Sequence, residues 1–419
     1  ISLIILLIVI FLSLKKGNDM FSPGKAFLGV WSFCIFLTEF KFSGFQHQWS
    51  TYSWFVLLLG LFSFLVGIFI THVIFFDKPL LSISSIRERS LSINESTLKK
   101  LLYATVILFL LYIISFTVEV LIEGFVPIFS ARPDKARVEF GLFGIHLLVN
   151  LQIALTFLAI EYIALTKKDN YKKKLAWGIF FITVLTFAFL LQRFNFFFGG
   201  LMILALLFYA SRALTFKRVV VIGLFFSGFL WGIKSIRLSR YVSEFNYAIS
   251  KMRFGKEYAI FTEPYMYITM NLENMAHAVD QLDRYVYGVQ TFDWIYALSG
   301  IKHWMADYFH IDHREFLTSG YSTFPFHWYY YWDFGLLGVV LLPLLSGLVI
   351  GICYYMMRYT AQIKWVVLYS VCYSLIVISF FTNPILLLNF VSNIFVLWFV
   401  HHFFVNQGNV QLKVKDWHT

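Results

Sequence analysis

Arg193 is the residue whose type and setting point most clearly to chemistry. It lies in the short sequence Leu190-Leu191-Gln192-Arg193-Phe194-Asn195, between two long apolar stretches. A guanidinium group is planar and can donate two parallel hydrogen bonds, a geometry that suits phosphate oxygens better than an ammonium does. Arg193 is therefore a candidate ligand for a diphosphate. The alternative is an arginine that caps a helix C-terminus and keeps its charged head in the membrane interface.

Further arginines lie in two other polar segments that flank apolar stretches. Arg132 and Arg137 belong to the proline-containing loop Gly124–Arg137, and Arg237 and Arg240 open the longest polar segment of the chain. Each of these arginines alone is compatible with a solvated loop. Their recurrence in three segments predicts several cations at one membrane surface, where an anionic lipid head group would bind.

The longest polar segment divides by charge. Residues 234–256 are strongly basic, whereas residues 257–325 are acidic and dense in Tyr and Trp. Carboxylates beside aromatic rings suit a sugar, because hydroxyl groups need acceptors and the C–H faces of a pyranose need flat apolar partners. The alternative is a pair of amphipathic helices that lie on the membrane.

Transmembrane helices must position these residues. Of the 419 residues, 59% are hydrophobic and 14% are charged, whereas a soluble domain has roughly 25% charged residues. A bilayer core takes about 20 apolar residues per helix, and lipid-exposed backbone must be satisfied within its own segment. The sequence therefore predicts an all-α fold, a polytopic membrane helical bundle of about 11 transmembrane helices. The predicted spans are 1–14, 26–41, 52–76, 101–122, 146–166, 175–192, 195–210, 219–236, 333–357, 365–382 and 385–405.

The distribution of Lys and Arg predicts which side each loop faces, since short cytoplasmic loops are enriched in them. Most lie in one set of loops, which we predict to be cytoplasmic: 15–25, 77–100, 167–174, 211–218, 358–364 and the tail. The predicted organisation is four segments: N-terminal transmembrane helices at 1–236, a large outer loop with amphipathic helices at 237–332, C-terminal transmembrane helices at 333–405, and a cytoplasmic tail at 406–419.

Several function classes are disfavoured. The net charge of +11 mostly reflects this topology, so no nucleic-acid partner is indicated. The sequence has no Walker loop and no dinucleotide fingerprint, which argues against an ATP-driven pump within this chain. His303, His310 and His313 lack the helical His-Glu pattern of zinc enzymes, so a metal site is not favoured.

The chain resembles the Wzy-type polymerases, the oligosaccharide repeat unit polymerases of bacteria, which are related to the O-antigen ligases. The resemblance covers most of the chain and rests on many spans with one large outer loop late in the sequence. It also rests on Arg193 before Gly199-Gly200 and on three ordered segments, namely Gly124–Arg137, Tyr267-Ile268-Thr269-Met270-Asn271-Leu272-Glu273-Asn274 and Asp333-Phe334-Gly335-Leu336-Leu337-Gly338.

The resemblance implies a GT-C-like glycosyltransferase of the bacterial cytoplasmic (inner) membrane, with its active site on the outer face. Such an enzyme polymerises undecaprenyl-diphosphate-linked oligosaccharide repeat units into O-antigen or capsular polysaccharide, with no metal and no cofactor. The implied partners are that lipid-linked oligosaccharide, membrane lipid, a chain-length regulator and a flippase.

The resemblance also implies roles for individual residues. Arg193 matches the arginine that follows a transmembrane helix in this group, and Arg237 or Arg240 would be the second. The acceptor hydroxyl needs a general base, and four candidates stay open: Glu273, His303, Asp307 and Asp333. A helix N-cap is the alternative role for Asp333. The expected substrate-binding residues are Arg132, Arg137, Tyr267, Asn271, Asn274 and Asp307.

Two other functions compete with the polymerase. An O-antigen ligase would transfer the glycan to a lipid A core, and a flippase would transport the same lipid-linked glycan. The Asp-Phe-Gly and Tyr-x-x-x-Asn-x-x-Asn patterns favour the polymerase over the ligase. Transporters usually line a central path with intramembrane charges, whereas Glu119 and Glu161 lie near the ends of their predicted spans.

Overall fold

The computed structural model describes residues 1–14, 19–167, 170–211, 241–304 and 321–405, and the single residues 214, 218, 221 and 228. Over these residues the fold is all-α, as predicted. Three 3-10 turns, Pro127–Phe129, Lys256–Phe261 and Pro384–Leu386, join helices. The helices are α1 (Ser2–Leu14), α2 (Pro23–Glu39), α3 (Thr51–Ile74), α4 (Ile83–Ser90), α5 (Glu95–Glu123), α6 (Pro133–Glu139), α7 (Ile145–Val149), α8 (Gln152–Leu165), α9 (Tyr171–Ala188), α10 (Arg193–Ala210), α11 (Tyr241–Ile249), α12 (Thr262–Gln281), α13 (Asp293–Ser299), α14 (Ile301–Trp304), α15 (Phe326–Thr360), α16 (Ile363–Ile378) and α17 (Leu388–Phe403).

Five helical segments in the described part of the chain are long and apolar enough to cross a membrane. They are Thr51–Ile74, Glu95–Phe129, Ile145–Leu165, Arg193–Ala210 and Phe326–Thr360, and Ser2–Ser13, Ile363–Ile378 and Leu388–Phe403 are shorter apolar helices. The predicted membrane protein is thus supported by five helices. The predicted total of about 11 stays a prediction, as does the GT-C-like arrangement. The predicted span 219–236 falls almost entirely outside the described residues.

Loops that were predicted to be cytoplasmic contact one another at one end of the bundle. Arg358 donates from Nε to the carbonyl oxygen of Leu81, and Arg87 donates from Nε to that of Phe208, each over 2.8 Å. Arg358 Nη1 also lies 3.5 Å from a carboxylate oxygen of the buried Asp19. We call this end, with residues 19–25, 77–94, 166–167, 170–174 and 358–364, the Lys-rich end.

The opposite end of the bundle gathers the loops that were predicted to lie outside. The backbone N–H of Phe326 donates to the carbonyl oxygen of Ser379 over 2.8 Å, and that of Phe42 donates to the hydroxyl of Tyr265 over 3.0 Å. We call this the Arg193 end, because α10 begins there. Among the described residues, the two predicted sets of loops therefore lie at opposite ends of the bundle, and which end faces the cytoplasm stays a prediction.

Glycines allow α3 and α15 to approach closely, and this pair makes the most extensive helix contact in the described part of the chain. A Cβ added at Gly347 would lie 2.1 Å from the carbonyl oxygen of Phe64, and one at Gly67 would lie 2.2 Å from that of Leu344. Small residues spaced in this way let membrane helices pack backbone to backbone. The close approach of α3 and α15 therefore depends on Gly67 and Gly347, which have no side chain at the contact.

The helix α15 begins earlier than the sequence predicted and contains a break. It starts at Phe326, seven residues before the predicted span, so the aromatic run before Asp333 is helical. At Gly335 the backbone has φ 61° and ψ −145°, a conformation that is essentially restricted to glycine. The Asp-Phe-Gly pattern thus marks a break inside a helix and not its start.

Candidate functional site

Arg193 begins a helix. The preceding helix α9 ends at Ala188, and a turn in which Leu191 has φ 59° leads directly into α10. The alternative that Arg193 caps a helix C-terminus is therefore wrong. The start of a helix carries a partial positive charge, so it does not stabilise the charge of an arginine. The guanidinium and the free backbone N–H groups of the first turn together make this end suitable for binding an anion.

Within the described part of the chain, the guanidinium of Arg193 makes a loose ion pair. Its Nη1 lies 4.0 Å from Oε1 of Glu263, in the first turn of α12, and the two side chains are 26% and 15% exposed. That separation is too long for a hydrogen bond, so the contact is a partly solvated ion pair. The N–H donors of Arg193 can turn to a ligand while Glu263 orients them.

Aromatic rings lie beside this ion pair. The ring of Phe194 is 5.7 Å from that of Phe381, which in turn is 6.1 Å from the ring of Tyr267. Tyr267 lies one helical turn after Glu263 on the same face of α12, and it is 42% exposed. The site therefore combines a partly exposed cation with an accessible aromatic ring on the helix face of its acidic partner.

The loop that contains Arg132 and Arg137 packs against the Arg193 turn. The backbone N–H of Ile128 donates to the carbonyl oxygen of Phe189 over 3.0 Å, and Phe140 is buried in one cluster with Leu190. Arg132 is exposed before α6. Arg137 Nε is buried without a hydrogen-bond partner in the described part of the chain.

The structure therefore brings two of the three predicted arginine segments together at one end of the bundle. The third segment supplies Arg237 and Arg240, which lie outside the described residues, as does Asp307. His303 belongs to α14, but the description does not extend to its side chain. No cluster of metal-ligating side chains occurs among the described residues.

A group of buried amide side chains lies next to Arg193 in the helices that pack there, and sequence reasoning missed it. Asn195 donates to Oε1 of Gln192 over 3.0 Å, and Asn393 donates to the backbone oxygen of Asn150 over 2.8 Å. Asn393 also accepts from the N–H of Ala154 over 2.8 Å. The amide nitrogen of Asn195 also lies 3.5 Å from Oδ1 of Asn150, so these contacts tie α10 and α17 to the segment that begins α8. The available signal was the presence of asparagines inside apolar spans, where polar residues are costly.

Glu273 is an internal anchor in this structure. Its carboxylate accepts from the backbone N–H of His47 over 2.6 Å and from Nε1 of Trp49 over 2.9 Å, and the residue is 5% exposed. Burial raises the pKa of Glu273, and the hydrogen bonds from His47 and Trp49 lower it by less. Both carboxylate oxygens are therefore committed to the loop between α2 and α3.

Glu273→Gln is expected to destabilise the fold, because an amide NH₂ would face one of the two N–H donors and leave a buried donor unpaired. Such a loss costs about 1–3 kcal/mol. The measurement is thermal unfolding in detergent, with the exposed Glu257→Gln as the matched control. Equal melting temperatures for the two variants would contradict the anchoring role.

The same contact predicts a pH dependence. Because the pKa of Glu273 is raised in the folded state, that state holds the proton more tightly than the unfolded chain does. The contribution of Glu273 to stability therefore falls as the pH rises from the ordinary carboxyl pKa through the raised one. Glu273→Gln should remove this part of the slope, and Glu257→Gln should keep it.

Asn271 and Asn274 are also used within the protein. Asn274 donates to the backbone oxygens of Tyr321 and Thr323, over 3.0 and 3.1 Å. Asn271 donates to the backbone oxygen of Tyr267 and accepts from the hydroxyl of Thr323. Both asparagines are 1% exposed. They fasten the segment before α15 to α12, and neither is open to a ligand in this conformation.

Asp333 fastens a turn to the break in α15. Its carboxylate accepts from the backbone N–H of Gln290 over 3.0 Å and from that of Thr291 over 2.6 Å, and the residue is fully buried. The backbone N–H of Tyr287 donates to the carbonyl oxygen of Asp333 over 3.1 Å. Asp333 thus accepts hydrogen bonds from backbone N–H groups of the 286–291 turn. This role differs from that of the helix N-cap considered above.

Comparisons with known proteins identify no relative from which a function could be transferred to this site. No protein-family model, curated protein or solved structure matches this chain. Around the Arg193 turn, the described residues that are at least partly exposed include Arg193, Glu263 and Tyr267, with Arg132 and Arg137 on the adjoining loop. Of these, sequence reasoning missed Glu263, which was one acidic residue among many in its segment.

Proposed function

We propose that this chain is a metal-independent membrane glycosyltransferase that polymerises undecaprenyl-diphosphate-linked oligosaccharide repeat units into O-antigen or capsular polysaccharide. The reaction would take place at the Arg193 end, on the outer face of a bacterial inner membrane. The lipid-linked oligosaccharide would be both donor and acceptor. A flippase that delivers it and a chain-length regulator would be the protein partners.

The single observation that carries the proposal is the setting of Arg193. A partly exposed guanidinium at the start of a membrane helix, 4.0 Å from Glu263, adds its charge to the positive end of the helix dipole. The accessible ring of Tyr267 lies on the same helix face as Glu263, where the sugar next to a bound diphosphate would be placed. Arg132 and Arg137 belong to the loop that packs against the same turn.

The chemistry follows from the charge that the reaction develops. The acceptor hydroxyl oxygen attacks the anomeric carbon, the bond from that carbon to the diphosphate oxygen breaks, and the electron pair leaves with the diphosphate. Preorganised guanidinium groups stabilise that negative charge without a metal ion. The hydroxyl proton passes to a general base, for which His303 and Asp307 remain the candidates, because Glu273 and Asp333 are buried and occupied.

Deletion of the gene, followed by electrophoresis of the surface glycan, tests the proposal. A polymerase predicts that the deletion strain carries a single repeat unit on its core and no longer chains. A bare core would contradict the proposal and indicate a ligase or a flippase. Restoration of long chains by the wild-type gene is the control.

A further inference from the structure

A cavity lies at the Lys-rich end of the bundle, far from Arg193. It has a volume of about 220 Å³ and lies between the start of α16 and the end of α17. This exceeds many-fold the roughly 10–15 Å³ that a cavity needs, on the same measure, to hold one water molecule. Its lining combines apolar, aromatic and basic side chains and contains no carboxylate; among these are Lys364, Trp365, Leu368, Trp398, His401 and His402.

One of the basic residues, His401, is paired within the protein. His401 places Nδ1 2.8 Å from the backbone oxygen of Leu397 and Nε2 2.9 Å from the carboxylate of Glu161. Both ring nitrogens of His401 therefore face oxygen atoms of the protein itself. The side chains of His401 and Glu161 are 3% and 0% exposed. Glu161 is thus fully used by His401.

The other basic residues are not balanced in this way. In the described part of the chain Lys364 has no carboxylate within ion-pair distance, and its ammonium lies 5.7 Å from the ring of Trp365. His402 is exposed and stacks on Trp398 with 5.2 Å between ring centroids. The wall of the cavity therefore presents positive charge that an external anion can balance.

The positions of Trp365 and Trp398 indicate how deep in the membrane the cavity lies. Trp398 is 41% exposed and lies in the last turns of α17, and Trp365 lies in the first turn of α16. Tryptophans at the ends of membrane helices sit at the level of the lipid head groups. The basic side chains are thus placed where a lipid phosphate lies, with Leu368 and Leu397 facing the beginning of an acyl chain.

We propose that this cavity binds one anionic glycerophospholipid from the leaflet at the Lys-rich end. Lys364 and His402 hold the phosphate, the two tryptophans flank the glycerol region, and the apolar wall receives the first methylenes of a chain. Basic pockets between membrane helices recognise lipid head groups in this way. Glu161 and His401 shape the pocket and leave its charge positive.

Native mass spectrometry of the purified full chain tests this site with phosphatidylglycerol and phosphatidylcholine as probes. The wild type should retain phosphatidylglycerol in preference to phosphatidylcholine, and Lys364→Gln should weaken that retention about fivefold. The matched control is Lys174→Gln, which removes an exposed charge at the same end and should leave retention unchanged. Equal retention of the two lipids by the wild type would overturn the proposal, as would equal losses in the two variants.

A second measurement keeps the test independent of how well the lysine variant folds. Phosphatidylglycerol with brominated chains should quench the tryptophan fluorescence of the wild type more than brominated phosphatidylcholine does. The double variant Trp365→Phe, Trp398→Phe should lose most of that difference. Persistence of the full difference in the double variant would overturn the placement of the lipid.

Discussion

Arg193→Lys is expected to lower the rate of polymer formation by about 10²–10³-fold while the amount of protein in the membrane stays the same. Lysine keeps the charge but loses the planar pair of donors that a diphosphate requires. Among the described residues, the ion pair that Arg193 makes is the long, partly solvated contact with Glu263, so we expect the fold to depend little on it. The measurement is the length distribution of the surface glycan together with the quantity of the variant protein.

The matched control for Arg193 is Arg284→Lys, which makes the same exchange at an exposed position after α12. It should give normal chains. Normal long chains in Arg193→Lys would remove the diphosphate role from this residue. Loss of the protein itself would assign Arg193 a structural role that the long contact with Glu263 does not suggest.

Gly347→Ala is expected to have the second large effect, this time on stability. The added Cβ would lie 2.1 Å from the carbonyl oxygen of Phe64 and 3.1 Å from its carbonyl carbon. A backbone cannot move aside as the tip of a side chain can, so α3 and α15 must separate. Overpacking of this kind costs about 1–3 kcal/mol and occasionally more. Thermal unfolding in detergent should show a lower midpoint.

Gly178→Ala provides the control for the glycine prediction. Gly178 also lies within a helix, but a Cβ there would meet nothing within 4 Å. Since alanine favours a helix over glycine by up to about 1 kcal/mol, this variant should unfold at the same temperature or higher. A lower midpoint for Gly178→Ala than for Gly347→Ala would contradict the account of the α3–α15 contact.

The membrane character and the grouping of loops could be predicted from the sequence, because both depend on local composition. Runs of apolar residues predicted the helices, and the distribution of Lys and Arg separated residues such as Arg358 from Arg193 as the structure does. The finer features depend on contacts between distant segments. The sequence pattern Asp-Phe-Gly does not reveal that the Asp333 carboxylate would serve Gln290 and Thr291.

The candidate site was predictable only in part, and for a related reason. Arg193 stood out because a charge between two apolar stretches is rare, and its position at a helix start agrees with anion binding. Glu273 and Asn271 were selected for their polar chemistry, but burial against His47 and Thr323 uses that chemistry inside the protein. Burial of a polar side chain depends on the partner that the fold supplies, and that partner is far away in the sequence.

Polymerisation by the purified chain tests the central claim most directly. Lipid-linked repeat units extracted from the deletion strain would be added to the protein in liposomes with a metal chelator, and the products would be separated by length. The account predicts a ladder of longer glycans and release of undecaprenyl diphosphate with the wild type, and neither with Arg193→Lys. Absence of the ladder with the wild type, or transfer only when a lipid A core is supplied, would contradict it.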